Sequence, residues 1–454
     1  MKIREIKKLE HELDEYIESF VIGMGREERR RALGWYITGL LLDGERKSIE
    51  PMAGRLVESA DEIEAMRQRL QQAVAVASWS ELEVYKRLAL KFERELPSLK
   101  AFVLDDTGFP KSGTHSVGVA RQYSGTLGRT DKCQVATSLH VAGDRGSGCI
   151  GMRLYLPEEW TEDRERCTAA CVPDDVKFQR KWEIALDLID AALSWGVRKH
   201  VVLGDCGYGD CVEFRDGLTE RGLQYLVSVK STAVVWAPGT GPEPPKPRSP
   251  GEMGRPRTKY TNGEHKPLAI DALANKIGRA AYKKVTWREG SRGKQRSFFA
   301  ALRIRTAQEH GRGRPPGDEQ WLLCEWPKGE PAPTKFYLST LPPRTTIKKL
   351  VQFAKLRWRV ERDYQEMKGE VGLDHWEGRT WNGFHHHVAL CAVAHGFLAL
   401  RRALSPPEDT VDVADGQTCS PAGSTEEARH LPALPSSVRP NADRRGVAHV
   451  IESY

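Results

Sequence analysis

The hydrophobic period of the chain changes near residue 101, and this change limits the fold more than any other feature of the sequence. Before it, apolar residues follow the spacing of amphipathic helices. After it come three short strand-like runs, AFVLDD, CQVATSLHVAG and CIGMRLYLP, and then helical and strand-like segments alternate. Three consecutive strands followed by alternating helices and strands predict an α/β fold, in which helices flank a mixed sheet.

Shifts of composition and clusters of Pro and Gly divide the chain into five segments. We expect a helical N-terminal domain at 1–97, the first part of the α/β domain at 98–231 and a β-rich insertion at 232–335. Residues 336–404 return the chain to the α/β domain, and the Pro-, Ser- and acid-rich residues 405–454 are expected to be disordered. The segment ERKSIEPMAGRL in the helical domain fits either a DNA-binding helix-turn-helix or a helix pair that only packs.

The bulk composition is that of an ordinary soluble chain. Its 454 residues should form two or three folded units, and its net charge of +7 suits a polyanionic partner without requiring one. No apolar run of membrane-spanning length is evident, and the N-terminal MKIREIKKLEHELDEY reads as a polar helix, so we expect a cytoplasmic protein without a membrane partner. Nine scattered cysteines do not suggest a disulfide framework.

Carboxylates stand at the ends of two strand candidates. Asp105 and Asp106 follow the run AFVL, and Asp205 ends the strand HVVLGD before a glycine-rich turn. Strand ends in an α/β sheet open into a crevice where ligands bind, so these groups are candidates for chemistry. The alternative is that Asp105 points to solvent, Asp106 caps a turn at Thr107 and Gly108, and neither does chemistry.

A third carboxylate belongs to the helical pattern LRWRVERDYQEMKGEVG. Arg357, Glu361 and Lys368 are spaced i, i+4 and i+11, which at about 100° per residue places them in one stripe. Apolar neighbours predict that this helix is partly buried, and metal coordination would explain a glutamate beside them. A solvated helix with salt bridges is the alternative.

Three segments resemble the DDE transposases of bacterial insertion sequences, specifically insertion sequence family four and its seven-oh-one group. They are DDTGFPKSGTHSVGVARQYSGTLG, GDCGYGD and RWRVERDYQEMKGEVGLDHWEGR, and the resemblance covers about residues 20–403. It implies a ribonuclease H-like fold with a β-rich insertion between the second and third carboxylates. It also implies cleavage of DNA at the ends of a mobile element and transfer of the freed 3'-hydroxyl to target DNA.

The resemblance also implies which residues form the site. The family's first aspartate precedes Thr, so it assigns the catalytic, metal-binding carboxylates to Asp106, Asp205 and Glu361. Asp105 would then point to the other face of the strand or support the turn. Hard oxygen ligands select Mg²⁺ or Mn²⁺, and two ions are expected for in-line phosphoryl transfer.

The family signature around the third carboxylate is Tyr-x2-Arg-x3-Glu-x6-Lys. It assigns Arg357 and Lys368 to the DNA phosphates, and this chain has Ala354 at the tyrosine position. Further candidates for DNA contact are Lys111, His115, Arg121, Arg312 and Arg314, although solvated loop charges are the favoured explanation for each of them. Three consecutive histidines, His385 to His387, point about 100° apart on a helix and cannot chelate one ion.

The resemblance implies DNA as the partner, both as terminal inverted repeats and as target, with a homodimer in the DNA complex acting on the nucleoid. Two other functions stay open at this point. One is a ribonuclease H-like, metal-dependent nuclease without strand transfer. The other is a catalytically silent, DNA-binding descendant, against which the complete set of carboxylates argues.

Overall fold

The computed structural model of the protein describes residues 3–246, 253, 255, 258–262, 264–290, 293–307 and 316–404. These residues form two compact units. A helical unit joins the chain up to Val84 with the chain from Glu366 onward, and a sheet unit runs from Tyr85 to Gln365. The expected disordered tail at 405–454 lies outside the described residues.

Helices make up the beginning and the end of the described chain and also flank the sheet. The α-helices, in chain order, are α1 (Ile3–Val21), α2 (Glu27–Leu41), α3 (Ile49–Leu56), α4 (Ile63–Gln71), α5 (Glu81–Glu95), α6 (Glu158–Thr161), α7 (Arg164–Ala169), α8 (Lys181–Ser194), α9 (Cys206–Gly209), α10 (Val212–Glu220), α11 (Ile270–Lys276), α12 (Ile347–Leu356), α13 (Trp358–Gly369) and α14 (Trp381–Leu404). A π-helical segment, Gln72–Val76, follows α4.

The strands all belong to the sheet unit. In chain order they are β1 (Leu99–Pro110), β2 (Ala120–Ser124), β3 (Arg129–Gly143), β4 (Ser147–Tyr155), β5 (Val201–Gly204), β6 (Tyr225–Val229), β7 (Val234–Trp236), β8 (Leu268–Ala269), β9 (Lys283–Gly290), β10 (Gly293–Thr306), β11 (Gln320–Trp326) and β12 (Lys335–Ser339). Their order is β2-β3-β1-β5-β6-β12-β11-β10-β7-β8, with β4 paired to β3 and β9 to β10. Strands β1, β5 and β6 are parallel and the other pairs are antiparallel, so the predicted mixed α/β fold is confirmed.

The β-rich segment extends the main sheet. Strand β12 pairs with β6 on one side and with β11 on the other, so β11, β10 and β9 continue the same sheet outward. Strands β9, β10 and β11 therefore share one layer with the main sheet, which the Pro/Gly-rich connector did not reveal.

Strand β1 does not end at its two aspartates. It continues to Pro110 because the long strand β3 offers backbone partners along its whole length, pairing with Asp105 through Ser138 and with Asp106 through Thr137. The expected turn at Thr107 is therefore wrong. The aspartates lie within β1, at the level where the neighbouring strand β5 has ended.

Helices cover both faces of the sheet at β1 and β3. Helix α8 packs on the face that carries Thr137 and Leu139, where Leu188 of α8 lies against Gly151 of β4. Helix α13 lies on the opposite face, where its Tyr364 contacts Ser138. Successive side chains of a strand point to opposite faces of the sheet. One residue of each consecutive pair therefore faces α8, and the next faces α13.

The helical unit is built around α14, whose side chains are almost all buried. Tyr16 of α1 donates to the Val393 carbonyl at 2.8 Å, and Tyr36 of α2 bonds to His387 at 2.8 Å. The chain from Glu366 thus groups with the N-terminal helices, whereas the sequence suggested that 336–404 belongs wholly to the α/β domain.

Helix α14 is also long and apolar enough to cross a membrane by length and composition, a property that the sequence reading overlooked. In this structure 83% of its apolar window is buried, as expected for the core helix of a folded unit. The three histidines of α14 diverge as predicted. His385 contacts the Trp381 carbonyl, His386 contacts those of Val74 and Trp79, and His387 contacts Tyr36.

We predict that Tyr36→Phe destabilises the helical unit by about 1 to 3 kcal/mol, because it leaves the buried Nδ1 of His387 without its hydroxyl partner. Chemical denaturation followed by circular dichroism measures the loss. Tyr123→Phe is the matched control, because the Tyr123 side chain on β2 is exposed and its change should stay within about 0.5 kcal/mol. Equal losses in both variants would contradict the prediction.

Candidate active site

Asp105 lies within β1, and Asp205 directly follows the neighbouring parallel strand β5. Strand β1 pairs with β5 so that Ala101 lies beside Val201 and Val103 beside Leu203. Continuing this register by two residues places Asp105 level with Asp205, with both side chains on the same face. The sheet therefore brings the segment AFVLDD and the segment HVVLGD together at one point.

Arg357 connects this pair to the third carboxylate. Its NH1 group donates to Asp105 Oδ2 at 2.9 Å and its NH2 group to Glu361 Oε1 at 2.5 Å. The Asp205 carboxylate also lies close enough to act electrostatically on both Arg357 and Asp105. One guanidinium thus pairs with two carboxylates and lies within electrostatic reach of a third, so its single charge offsets only part of theirs. The Arg357–Glu361 contact is the i, i+4 ion pair that the salt-bridge alternative describes.

The electrostatics of the site are those of excess negative charge. Burial raises the pKa of Asp105, Arg357 lowers it, and Asp205 raises it again, with a net result of about 6. The side chain of Asp105 is 16% exposed, whereas that of Glu361 is 60% exposed. A largely buried and an exposed carboxylate therefore share one cationic partner.

Asp106 lies on the opposite face of β1. Its Oδ1 accepts hydrogen bonds from Tyr208 at 2.6 Å and Thr137 at 3.0 Å, and its Oδ2 pairs with Lys181 of α8 at 2.9 Å. The structure thus reverses the predicted orientation, in which Asp106 faced the crevice and Asp105 faced away. The prediction assumed that β1 ends at Asp106, whereas the continuing strand sets the alternation and directs Asp105 towards Asp205.

Asp205 has a structural contact as well as its place beside Asp105. It is the N-cap of α9, a single helical turn, and its Oδ1 accepts from the backbone N–H of Gly207 at 2.9 Å and of Tyr208 at 3.4 Å. The expected glycine-rich turn is this short helix. These two hydrogen bonds restrain the side chain of Asp205.

A buried polar network attaches α13 to the sheet beneath Glu361. His140 of β3 bonds to Asp363 at 2.7 Å, and Ser147 donates to the same carboxylate at 2.6 Å. Tyr364 bonds to Ser138 at 2.5 Å and donates to the Asp105 carbonyl at 3.2 Å. Burial lowers the pKa of His140, but Cys149 and Asp363 raise it, and the net direction is upward.

Sequence reasoning missed this network. The adjacent polar residues Asp363 and Tyr364 on an otherwise buried helix face were its only signal, and their partners on β3 and β4 lie more than two hundred residues earlier in the chain. The network ties the helix that carries Glu361 to the strand that is paired with Asp105.

The remaining predicted residues are not all brought to the carboxylates. Arg357 is the junction between α12 and α13 rather than part of one long helix. Lys368 is in the last turn of α13, in the part that belongs to the helical unit. Lys111 and His115 lie in the loop after β1 and Arg121 on the edge strand β2, whereas Arg312 and Arg314 lie outside the described residues.

Comparison with known families gives this arrangement a context. A sequence model of the family described as DDE superfamily endonuclease matches residues 19–294, which is more than half of the chain. The chain belongs to the DDE superfamily of endonucleases. The matched segment includes Asp105, Asp106 and Asp205 and ends before Glu361.

One curated relative is a probable transposase for insertion sequence element IS701 from Microchaete diplosiphon. It is 29% identical to this chain over 228 residues, which cover 49% of the chain and 55% of the relative. The match thus spans about half the length of that relative.

We predict that Arg357→Met destabilises the metal-free protein by about 1.5 to 3 kcal/mol at pH 7.5, because the buried Asp105 carboxylate loses its charged partner. The folded pKa of Asp105, about 6, already lies above its unfolded value, and losing Arg357 raises it further. The destabilisation should therefore shrink as the pH falls to 5, where the folded protein protonates Asp105.

Urea unfolding in EDTA at the two pH values measures this difference. Arg198→Met is the control, because its pair with Glu93 leaves the arginine side chain 69% exposed and its loss should matter little at either pH. An equal loss for Arg357→Met at both pH values would show that Arg357 stabilises the fold by packing rather than through the charge of Asp105.

Proposed function

We propose that the protein is a metal-dependent DDE transposase, which cleaves DNA at the ends of a mobile element and transfers the 3'-hydroxyl to target DNA. The observation that carries the proposal is the convergence of Asp105, Asp205 and Glu361 around Arg357, in a chain that belongs to the DDE superfamily. The probable IS701 transposase, with its partial match to the chain, supports the same function.

The strand order supports a ribonuclease H-like core for this function. Strands β4, β3 and β1 form an antiparallel meander, and β5 and β6 follow on the other side of β1, parallel to it. This is the arrangement expected from three consecutive strands followed by alternating helices and strands. We further propose that the helical N-terminal region contacts DNA and that the strands at 232–335 form the insertion typical of the group.

The carboxylates fit divalent cations by their chemistry. Three carboxylate groups supply hard oxygen ligands, and the single guanidinium of Arg357 leaves them with excess negative charge, which is why Asp205 raises the pKa of Asp105. We propose that Asp105, Asp205 and Glu361 hold Mg²⁺ or Mn²⁺, with two ions expected. Bound cations would activate a water or 3'-hydroxyl and stabilise the leaving oxygen of an in-line displacement.

The chain's own residues would orient the DNA. The two bonds from Arg357 to carboxylates use two of its five N–H donors, so the same guanidinium can also donate to a phosphate oxygen beside Glu361. Lys368, about two turns further along α13, would hold a neighbouring phosphate. Lys111, His115 and Arg121 are candidates for contacts further along the DNA.

The partners follow from the proposed reaction. They are terminal inverted repeats and target DNA, with a homodimer in the DNA complex, and the protein would act on the nucleoid in the cytoplasm. The mild excess of Lys and Arg, 69 against 62 acidic residues, is compatible with DNA binding.

We predict that Asp105→Asn, Asp205→Asn and Glu361→Gln each reduce cleavage by several orders of magnitude, because each removes a charge that stabilises phosphoryl transfer. Asp106→Asn should retain most of the cleavage, because Asp106 faces the other side of the sheet. The assay uses purified protein, Mg²⁺ and cloned terminal inverted repeats with a target plasmid, and it resolves cleaved from joined products.

The same assay separates the competing functions. Joined products support the transposase, whereas cleavage without joining would indicate a nuclease, and end binding without either would indicate a silent descendant. If Asp106→Asn abolished cleavage and Asp105→Asn did not, the assignment of the first carboxylate would return to Asp106.

We also predict that Mg²⁺ stabilises the wild-type protein against unfolding, by about 2.7 kcal/mol at a hundredfold excess over its dissociation constant. Asp105→Asn should lose this stabilisation and Asp106→Asn should keep it. Thermal unfolding with and without Mg²⁺, with Ca²⁺-free buffers and EDTA as the reference, measures the difference. A wild-type protein whose stability does not respond to Mg²⁺ or Mn²⁺ would contradict the proposed metal site.

A further inference from the structure

The hydrogen bond between Tyr208 and Asp106 joins the two chain segments that carry the paired carboxylates. Asp106 follows Asp105 directly, and Tyr208 comes three residues after Asp205. The Tyr208 hydroxyl donates to Asp106 Oδ1 at 2.6 Å, on the face of the sheet opposite Asp105. The contact thus links β1 to the short helix α9 without touching the carboxylates themselves.

The partners of Asp106 are all groups of the protein. Thr137 on β3 and Tyr208 on α9 donate to Oδ1, and Lys181 at the start of α8 pairs with Oδ2. A partly buried carboxylate with two neutral donors and one cation is fully satisfied, so it has no need of a metal ion. Asp106 therefore links β3, α8 and α9, and both of its carboxylate oxygens already have partners in the protein.

Helix α9 fits closely against the sheet. A Cβ atom on Gly209 would lie 1.8 Å from the Ser228 carbonyl of β6, so only glycine allows this approach. A Cβ atom on Gly204 would lie 3.3 Å from the Cβ of Tyr208, which shows how tightly that tyrosine packs above β5. The position of α9, and with it the position of its N-cap Asp205, is therefore set by contacts with β5 and β6 and by the bond to Asp106 on β1.

We propose that Asp106 and Tyr208 are positioning residues, whose hydrogen bond holds Asp105 and Asp205 at the separation at which the pair binds a divalent cation. The inference rests on the proposed function, because it concerns the same site. It gives the second aspartate of the segment AFVLDD a role of its own. Neighbours that orient metal ligands usually change metal affinity or activity by about 10- to 100-fold when they are removed.

The test compares Mn²⁺ binding by calorimetry in the full chain and in three variants. Tyr208→Phe removes only the hydroxyl, and we expect the dissociation constant for Mn²⁺ to rise by about 10-fold or more. Asp106→Asn keeps an acceptor oxygen for Tyr208 but loses the ion pair with Lys181, so we expect a smaller loss of Mn²⁺ affinity than in Tyr208→Phe. Tyr282→Phe is the control, because it removes a buried hydroxyl that bonds to the Ala274 carbonyl in the same unit, directly before β9.

Hydrogen exchange in the metal-free protein gives a second readout. The backbone amides of Gly207 and Tyr208 donate to Asp205, and we expect them to exchange faster in Tyr208→Phe than in the wild type or in Tyr282→Phe. Faster exchange together with weaker Mn²⁺ binding supports a positioning role, because a loss of overall stability would accelerate exchange throughout the unit.

Three results would overturn the inference alone. The first is that Tyr208→Phe binds Mn²⁺ as tightly as the wild type. The second is that Tyr282→Phe loses as much affinity as Tyr208→Phe. The third is that Asp106→Asn loses more affinity than Tyr208→Phe, which would make Asp106 a ligand. A wild-type protein that binds no Mn²⁺ would instead overturn the proposed metal site, and the inference with it.

Discussion

The parallel register of β1 with β5 is the constraint on which the rest of the site depends. It sets Asp105 level with Asp205 and, by alternation, sends Asp106 to the other face. A shift of one residue would exchange the two aspartates and place Lys181 and Tyr208 beside the wrong one. Register is costly to change here because β1 is also paired with β3 along nearly its whole length, and most of the residues between Ala101 and Phe109 are buried.

The sheet and α13 support each other through buried polar contacts. A buried ion pair such as His140 with Asp363 contributes little to stability by itself, because removing both groups from water costs as much as their attraction returns. It does, however, select one arrangement of helix on sheet, since any shift of α13 would leave charges buried without partners. Such a network suits a helix whose carboxylate has to lie within reach of two others on a different element.

The sequence predicted the elements of the site better than their orientation. Asp205, Glu361 and Arg357 could be named as candidates because strand ends and helical spacing are local patterns. The choice between Asp105 and Asp106 could not be made, because the apolar run before them does not show where β1 ends, and only pairing with β3 and β5 decides it. Likewise, the grouping of α14 with α1 and α2 depends on contacts between residues more than three hundred positions apart.

The helical unit is divided in sequence by the whole sheet unit, and this affects the order in which the two can fold during synthesis. A ribosome releases α1 to α4 first, yet their partner α14 emerges only after residues 85–365 have been made. Until then, apolar groups such as those around Tyr36 remain uncovered, which favours aggregation or chaperone binding. The sheet unit, by contrast, is continuous in sequence and can complete itself first. Nascent chains that stop before α14 would therefore carry a finished sheet and an unfinished helical unit.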